Sequence, residues 1–163
     1  GEGHEDRDPA QLLATLLGDS SGSRLYWGLV DTGEAEHAAF LHHDFLDAGV
    51  FVTQLSCEGA EVEPLLARVA EICAAATAGD LAMAEVERAR NKLASRVVLG
   101  GEKPLRRLFE MGVDWSHSRI YRSVADTLRI VESLSRDDLD RVLHAWPLDA
   151  PAATVIAGSG GAA

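Results

Sequence analysis

The alternation of apolar and polar residues predicts a chain of helices interrupted by one β-hairpin. From Ala60 to Thr77 the apolar residues recur every three or four positions, which is typical of a helix that buries one face. The same pattern predicts further helices over Asp8–Gly18, Ser23 to about Asp31, Asp80–Val98, Lys103–Gly112, Ile120–Leu134 and Arg136–Leu143. We expect the helices over 60–77 and 80–98 to form an antiparallel pair.

Strand patterns lie between the second and third helices and near the end of the chain. The run from Ala35 to Leu41 reads as a strand, and the turn over 46–49 reverses the chain into a second strand, Val50–Cys57. That second run is apolar on both faces at its start, as an interior strand covered by helices would be. A last short strand is predicted over Thr154–Ala157.

Several helix ends carry their own local signals. We expect Gly18 to end its helix in the left-handed conformation that glycine adopts easily. The serines Ser20, Ser21 and Ser23 can each cap the next helix, and Asp80 can cap the helix that follows it. Ser135, with Asp138 three residues later, is close to a capping box.

Composition indicates a globular protein with an acidic surface. A chain of 163 residues with 47% apolar content is one domain by size, and its net charge of -11 argues against nucleic acid and membrane partners. No stretch resembles a membrane span or a signal peptide, so we expect a soluble protein of the cytoplasm or periplasm. Cys57 and Cys73 lack CxxC spacing and fit two buried thiols better than a disulfide or metal pair.

One segment resembles a known peptidase family. Residues 18–26, GDSSGSRLY, followed by residues 29–35, LVDTGEA, resemble the signature of the pitrilysin (insulinase) family of zinc peptidases, which includes the mitochondrial processing peptidases. Residues 85–93, 134–139 and 154–158 resemble three more segments of the same domain, in the same order. The resemblance therefore extends over nearly the whole chain.

The family has two kinds of half with one fold, and the metal ligands separate them. The catalytic half holds zinc through His-x-x-Glu-His on one helix, where two imidazoles one turn apart bind the metal and the glutamate polarises water. None of the six histidines has a histidine four positions later. The chain therefore resembles the zinc-free C-terminal half, with no catalytic residue, metal ligand or cofactor of its own.

This resemblance implies both a fold and a set of partners. We expect an α+β fold, a layered α/β sandwich in which an antiparallel sheet has helices packed mainly on one face. Residues 1–158 would form a single pitrilysin-type domain that lacks its first strand or strands, and 159–163 a disordered tail.

Such a half packs against a zinc-bearing N-terminal half, on the same or a partner protein, and closes a chamber around an extended peptide substrate. Zinc is then expected on that partner half, and a homodimer is also possible. The alternative hypothesis is a domain of an inactive, peptidase-derived scaffold or assembly subunit.

Other chemistry finds little support among the polar residues. His42, His43 and Asp44 form the one other candidate metal cluster. Neighbouring strand residues point to opposite faces, so His42 and His43 cannot readily bind one ion. His37 and His43 share a face but lie roughly 20 Å apart at a rise near 3.3 Å per residue. A metalloenzyme acting through His42 and His43 is the third hypothesis. The segment 18–22 is not a phosphate loop, because no Lys-Ser/Thr follows and Asp19 would repel the anion.

The signature residues themselves have two sets of expected roles. We expect Ser23, Arg24, Leu25 and Tyr26 to be structural, with Arg24 bonding nearby carbonyls or a carboxylate. The family's substrate-holding arginine and tyrosine match Val30 and Glu36, with His37 as the alternative match for the tyrosine. On the first alignment both hydrogen-bond donors are lost, which implies weak or absent peptidase activity.

Overall fold

The computed structural model describes residues 4–150 and 152–158, without the side chains of residues 117 and 118. Within these residues the chain forms helices around one β-hairpin, as an α+β domain. The elements in order are α1 (Arg7–Gly18), a π-helix (Tyr26–Val30), β1 (His37–Asp44), β2 (Gly49–Ser56), a 3-10 turn (Gly59–Glu61), α2 (Val62–Thr77), α3 (Met83–Gly101), α4 (Pro104–Ser118), α5 (Val124–Ser133) and α6 (Arg136–Ala145).

Helix α1 is the centre of the core and packs against β1, α3 and α6. Leu12, Leu13 and Leu17 are completely buried, and each such side chain stabilises the fold by roughly 1.5–3 kcal/mol relative to exposure. Gly18 ends α1 as expected, but it is not among the residues with positive φ. Its requirement is steric, since a Cβ there would lie 1.9 Å from the backbone nitrogen of Phe40. The expected reason for this glycine is therefore wrong, and close packing of α1 on β1 is the actual one.

The hairpin lies with one strand on the core and the other towards solvent. β1 and β2 are antiparallel with Leu41 opposite Val52, and the Phe45 N–H donates to the Ala48 carbonyl at 2.8 Å in the turn. β1 buries its first half against α1, whereas β2 is exposed or half-buried throughout. Within the described residues β2 pairs with β1 alone. The prediction of an interior second strand is therefore wrong here.

Helices α2 and α3 both form, although not as the expected pair. α3 packs mainly on α1 and α5, while α2 packs on α6. Gly79, with φ of 83°, closes the end of α2. The prediction that Asp80 caps α3 is wrong, because the residue at the N-cap position is Ala82. The Ala82 N–H donates to Glu85 Oε2 at 3.0 Å.

The last helices follow their capping signals. The Ser135 N–H donates to Asp138 Oδ2 at 2.9 Å and the Asp138 N–H to Ser135 Oγ at 3.4 Å, which confirms the capping box of α6. The predicted strand over 154–157 is wrong, since this segment lies outside any strand and Val155 is 91% exposed. The predicted tail, 159–163, lies outside the described residues. No helix in the part of the chain that the structure describes is long and apolar enough to cross a membrane.

Candidate functional site

The signature turn is closed by Ser23. Its Oγ donates to the Asp19 carbonyl at 2.7 Å and accepts from the Tyr26 N–H at 3.1 Å. Of the three serines considered as caps, Ser23 is the one that starts the next helix. Leu25 is 1% exposed and belongs to the core. These contacts all lie within the domain.

The helix that follows has a wider turn than the sequence pattern predicts. The Asp31 N–H donates to the Tyr26 carbonyl at 2.8 Å, a bond across five residues that defines a π-helix. Leu29 is thereby completely buried, while Trp27 remains 57% exposed beside the Tyr26 ring. Short π-helices are frequent at functional sites, so this turn is the part of the signature with most functional interest.

Arg24 is held by a carboxylate and a carbonyl. Its Nε donates to Glu85 Oε1 at 3.0 Å and its Nη2 to Glu85 Oε2 at 2.8 Å, and Nη2 also donates to the Asp80 carbonyl. The two side chains are 16% and 23% exposed. The hydrogen bonds between them raise the pKa of Arg24 and lower the pKa of Glu85. The signature turn is thus tied to the start of α3.

A second link to α3 runs through Asp19. Its carboxylate forms ion pairs with Lys92 and Arg96, and Lys92 Nζ also donates to Ser21 Oγ at 3.0 Å. Burial would raise the pKa of Asp19, but the hydrogen bonds from Lys92 and Arg96 outweigh it, so the pKa is lowered. Asp19 is therefore a neutralised anchor of the turn. Sequence reasoning missed this contact because its partners lie more than 70 residues away.

The two substituted positions flank the turn between the π-helix and β1. The Ala35 N–H donates to the Leu29 carbonyl at 2.8 Å, which draws these two segments together. Val30 is partly buried and packs against the core. Glu36 is exposed, and its Oε2 accepts from Ser56 Oγ at 3.1 Å. Neither a valine side chain nor a carboxylate offers a hydrogen-bond donor.

The histidine cluster on β1 is part of a buried charge network. His42 Nδ1 lies 3.2 Å from Asp44 Oδ1, and Asp44 Oδ2 accepts from Arg7 Nε at 2.6 Å. The His42 side chain is 6% exposed, and burial lowers its pKa despite the nearby Asp44 carboxylate. Among residues 4–150 and 152–158, no three His, Cys, Asp or Glu side chains are grouped so as to hold a metal ion. His42 therefore contributes mainly to packing, with its ring centroid 5.2 Å from that of Phe51.

This network opens into a cleft of the domain. The cleft has a volume of about 620 Å³ and lies between α1, α3, α4 and α5. Arg7 contacts Asp114 at 3.6 Å across it, and Arg122 contacts Asp8 at 3.3 Å. Because these residues come from α1, α4 and the loop before α5, more than 100 positions apart, no motif in the sequence indicated the cleft. Its charged groups pair mostly with one another.

Comparison with known proteins identifies the domain type. A family model described as the peptidase M16 inactive domain matches residues 1–93. The chain belongs to this family. The match confirms the resemblance of the sequence to the zinc-free half of pitrilysin-type peptidases.

An uncharacterized zinc protease of Mycobacterium tuberculosis and one of Mycobacterium bovis are each 24% identical to this M16 domain over 143 residues. Those alignments cover 87% of this chain and 33% of the relatives, so the chain spans about a third of their length.

Solved structures show the same fold. An inactive peptidase domain from Bordetella parapertussis superposes with a TM-score of 0.73 at 23% identity, covering 89% of this chain and 79% of that one. A protease from Helicobacter pylori superposes with a TM-score of 0.77 at 18% identity, covering 89% of this chain and 35% of that one. The M16 inactive-domain fold is therefore shared where the sequences have diverged widely.

Proposed function

We propose that this M16 domain is the non-catalytic C-terminal half of a zinc peptidase, with residues 1–158 as one pitrilysin-type domain. It packs against a zinc-bearing N-terminal half, on the same polypeptide or a partner, and the two halves enclose an extended peptide. Zinc belongs to the other half. The observation that carries the proposal is the inactive-domain match, together with the absence of His-x-x-Glu-His from the whole sequence.

The contacts of the signature turn indicate that its residues have a structural role in this half. Ser23, Arg24 and Leu25 are engaged inside the domain, so the turn positions the π-helix and the start of β1. In this proposal those two segments form the peptide-facing part of the half, because they carry the positions that match the family's substrate-holding residues.

Those positions favour weak substrate binding. Val30 cannot form a side-chain hydrogen bond, and the Glu36 carboxylate would repel the peptide carbonyls that a tyrosine would bind. With each hydrogen bond to a charged group worth roughly 1.5–3 kcal/mol, losing the pair lowers peptide affinity or turnover by about one to several orders of magnitude. This observation also favours the second candidate function, an inactive scaffold subunit that keeps the half for assembly.

Two measurements on the intact two-half protein test the proposal. Metal analysis after dialysis should find about one zinc per two-half protein and none held stoichiometrically by residues 1–163 alone. Tightly bound zinc on the isolated chain would overturn the non-catalytic assignment.

Cleavage of an unstructured peptide then separates weak peptidase from scaffold. We expect slow turnover that rises at least tenfold in a Val30→Arg, Glu36→Tyr double variant. A Val155→Arg, Glu132→Tyr variant makes the same chemical changes at exposed positions elsewhere and should leave the rate unchanged. No cleavage by any variant would favour the scaffold. Turnover in the usual range of roughly 1 to 1,000 per second, unaffected by the double variant, would show that the missing pair is irrelevant.

A further inference from the structure

Helix α4 turns four large apolar side chains to solvent. Leu105, Leu108 and Phe109 are 67%, 62% and 66% exposed, and Trp115 is 52% exposed. Among the charged side chains of α4, Arg107 and Asp114 are 17% and 25% exposed, whereas Arg106 and Glu110 are 57% and 41% exposed. Four large apolar side chains this exposed on one helix indicate a face that another surface covers.

The exposed apolar residues form one continuous, uncharged face. At about 100° per residue, positions 105, 108, 109, 112 and 115, occupied by Leu105, Leu108, Phe109, Gly112 and Trp115, fall within an arc of roughly 120°. We call these five residues the outer stripe. The charged residues that α4 carries along this length, at positions 106, 107, 110 and 114, fall outside that arc. The outer stripe thus has no charge with which to select an acidic or a basic partner.

The size of the outer stripe suits a weak but specific contact. An aromatic side chain buries roughly 150–250 Å², so four large side chains exposed by half to two-thirds present about 400–500 Å². Such an area is typical of the largest apolar patch on a monomer, roughly 300–600 Å², and patches of this size are often functional. Val98 and Leu99, at the end of α3, are also 42% and 59% exposed. Two outer stripes in contact would bury about 800–1,000 Å², which is below the roughly 1,200 Å² at which standard interfaces begin and suits a weak, reversible dimer.

The stripe is also complementary to itself. In an antiparallel pair of α4 helices centred on position 110, Leu108 of one copy lies opposite Gly112 of the other, and Leu105 lies opposite Trp115. Gly112 provides space for the leucine, since even a Cβ at this position would have no neighbour within 4 Å. The Leu108–Gly112 pairs near the centre thus place a large residue against a small one, and the Leu105–Trp115 pairs further out place two large apolar side chains together.

We propose that the outer stripe forms a two-fold, antiparallel contact between two copies of this chain. The face needs no charged partner, and two copies with a net charge of -11 each repel one another least across an uncharged surface. Salt therefore strengthens the contact, because it screens the repulsion between the copies while the apolar burial remains. This surface is separate from the signature turn that the proposed function uses.

Analytical ultracentrifugation of residues 1–163 over a wide concentration range tests the proposal. We expect a reversible dimer whose Kd falls as NaCl is raised from 50 to 500 mM. Leu108→Glu should weaken the dimer by roughly 100-fold or more, because two carboxylates would be buried at the contact. Leu46→Glu is the matched control, since Leu46 is 56% exposed at the hairpin turn, and it should leave the Kd unchanged. Circular dichroism should show equal folding of both variants.

A cysteine experiment tests the geometry. With Cys57 replaced by serine, an equimolar mixture of Leu108→Cys and Gly112→Cys chains should oxidise to the mixed disulfide in preference to either symmetric one. Wild-type chains that remain monomeric at all concentrations would overturn the proposal, as would equal weakening by Leu46→Glu. If Leu108→Glu instead abolishes binding to a zinc-bearing half while the chain alone is monomeric, the stripe belongs to that half and the second copy is the wrong occupant.

Discussion

The Arg24–Glu85 pair should be the strongest polar link between the signature turn and the rest of the domain. Two hydrogen bonds of 2.8 and 3.0 Å join side chains that are 16% and 23% exposed. Each charged bond is worth roughly 1.5–3 kcal/mol, but removing one partner also leaves the other charge half-buried. We therefore expect Arg24→Ala to cost about 3 kcal/mol, which for a chain of this size lowers the Tm by about 6–12 °C.

A double-mutant cycle isolates the pair from its other contacts. Glu85→Ala also removes the carboxylate that accepts from the Ala82 N–H at the start of α3, which is an additional loss of about 1 kcal/mol. Arg24→Ala also removes the donor to the Asp80 carbonyl. The coupling energy from urea unfolding of both single variants and the double variant subtracts these losses. We expect it to be about 2 kcal/mol.

The pH dependence of the cycle provides an independent check. Because Arg24 lowers the pKa of Glu85 in the folded state, the stabilisation is present above the unfolded pKa near 4.5 and is lost as pH falls through the folded pKa. The coupling should therefore persist from pH 7 to 5 and shrink below that. Arg24→Lys should not restore it, since one ammonium cannot make both bonds.

The Arg136–Asp140 pair serves as the control. Arg136 Nε lies 3.5 Å from Asp140 Oδ2, and the two side chains are 38% and 43% exposed. The coupling energy of this pair should therefore be below about 0.5 kcal/mol. A coupling for Arg24–Glu85 no larger than this value would refute the reasoning from burial and geometry.

Two further predictions follow from steric and electrostatic features of the core. Gly18→Ala should destabilise the domain by more than about 3 kcal/mol or prevent folding, because the added Cβ would overlap Phe40. Gly59→Ala is the control, since a Cβ there would have no atom within 4 Å, and it should change the unfolding free energy by less than about 1 kcal/mol. Thermal unfolding of both variants distinguishes the two outcomes. Burial lowers the pKa of His42, so the folded state binds fewer protons than the unfolded state, and stability should fall as pH drops below about 6.5 through the folded pKa. His42→Gln should reduce that loss between pH 7.5 and 5.5 in urea titrations, and an equal effect of exposed His37→Gln would contradict this assignment.

Much of the helical structure could be predicted from the sequence because its signals are local. The three-to-four spacing of α2 and the Ser135–Asp138 capping box depend on residues within one or two turns, so neighbours in sequence are sufficient to specify them. The hairpin turn is local in the same way. The zinc-free assignment also came from sequence alone, since a missing His-x-x-Glu-His cannot be supplied by folding.

The tertiary structure decided which elements meet, and this changed several expectations. Helical periodicity shows that α2 and α3 each bury a face, but not which helix lies against it, and the core places α3 on α1 and α5 instead of on α2. Gly18 was identified by its residue type, while the reason for it came from the approach of Phe40. The exposure of β2 likewise depends on what covers it.

The candidate site shows the same division most clearly. Ser23 could be read as a cap from its neighbours, whereas Asp19 was expected to repel an anion and is in fact neutralised by Lys92 and Arg96. The sequence also shows that α4 has an apolar and a charged side. Which side faces solvent depends on the position of the helix relative to α1, α3 and α5, because amphipathic spacing defines a face but not its direction.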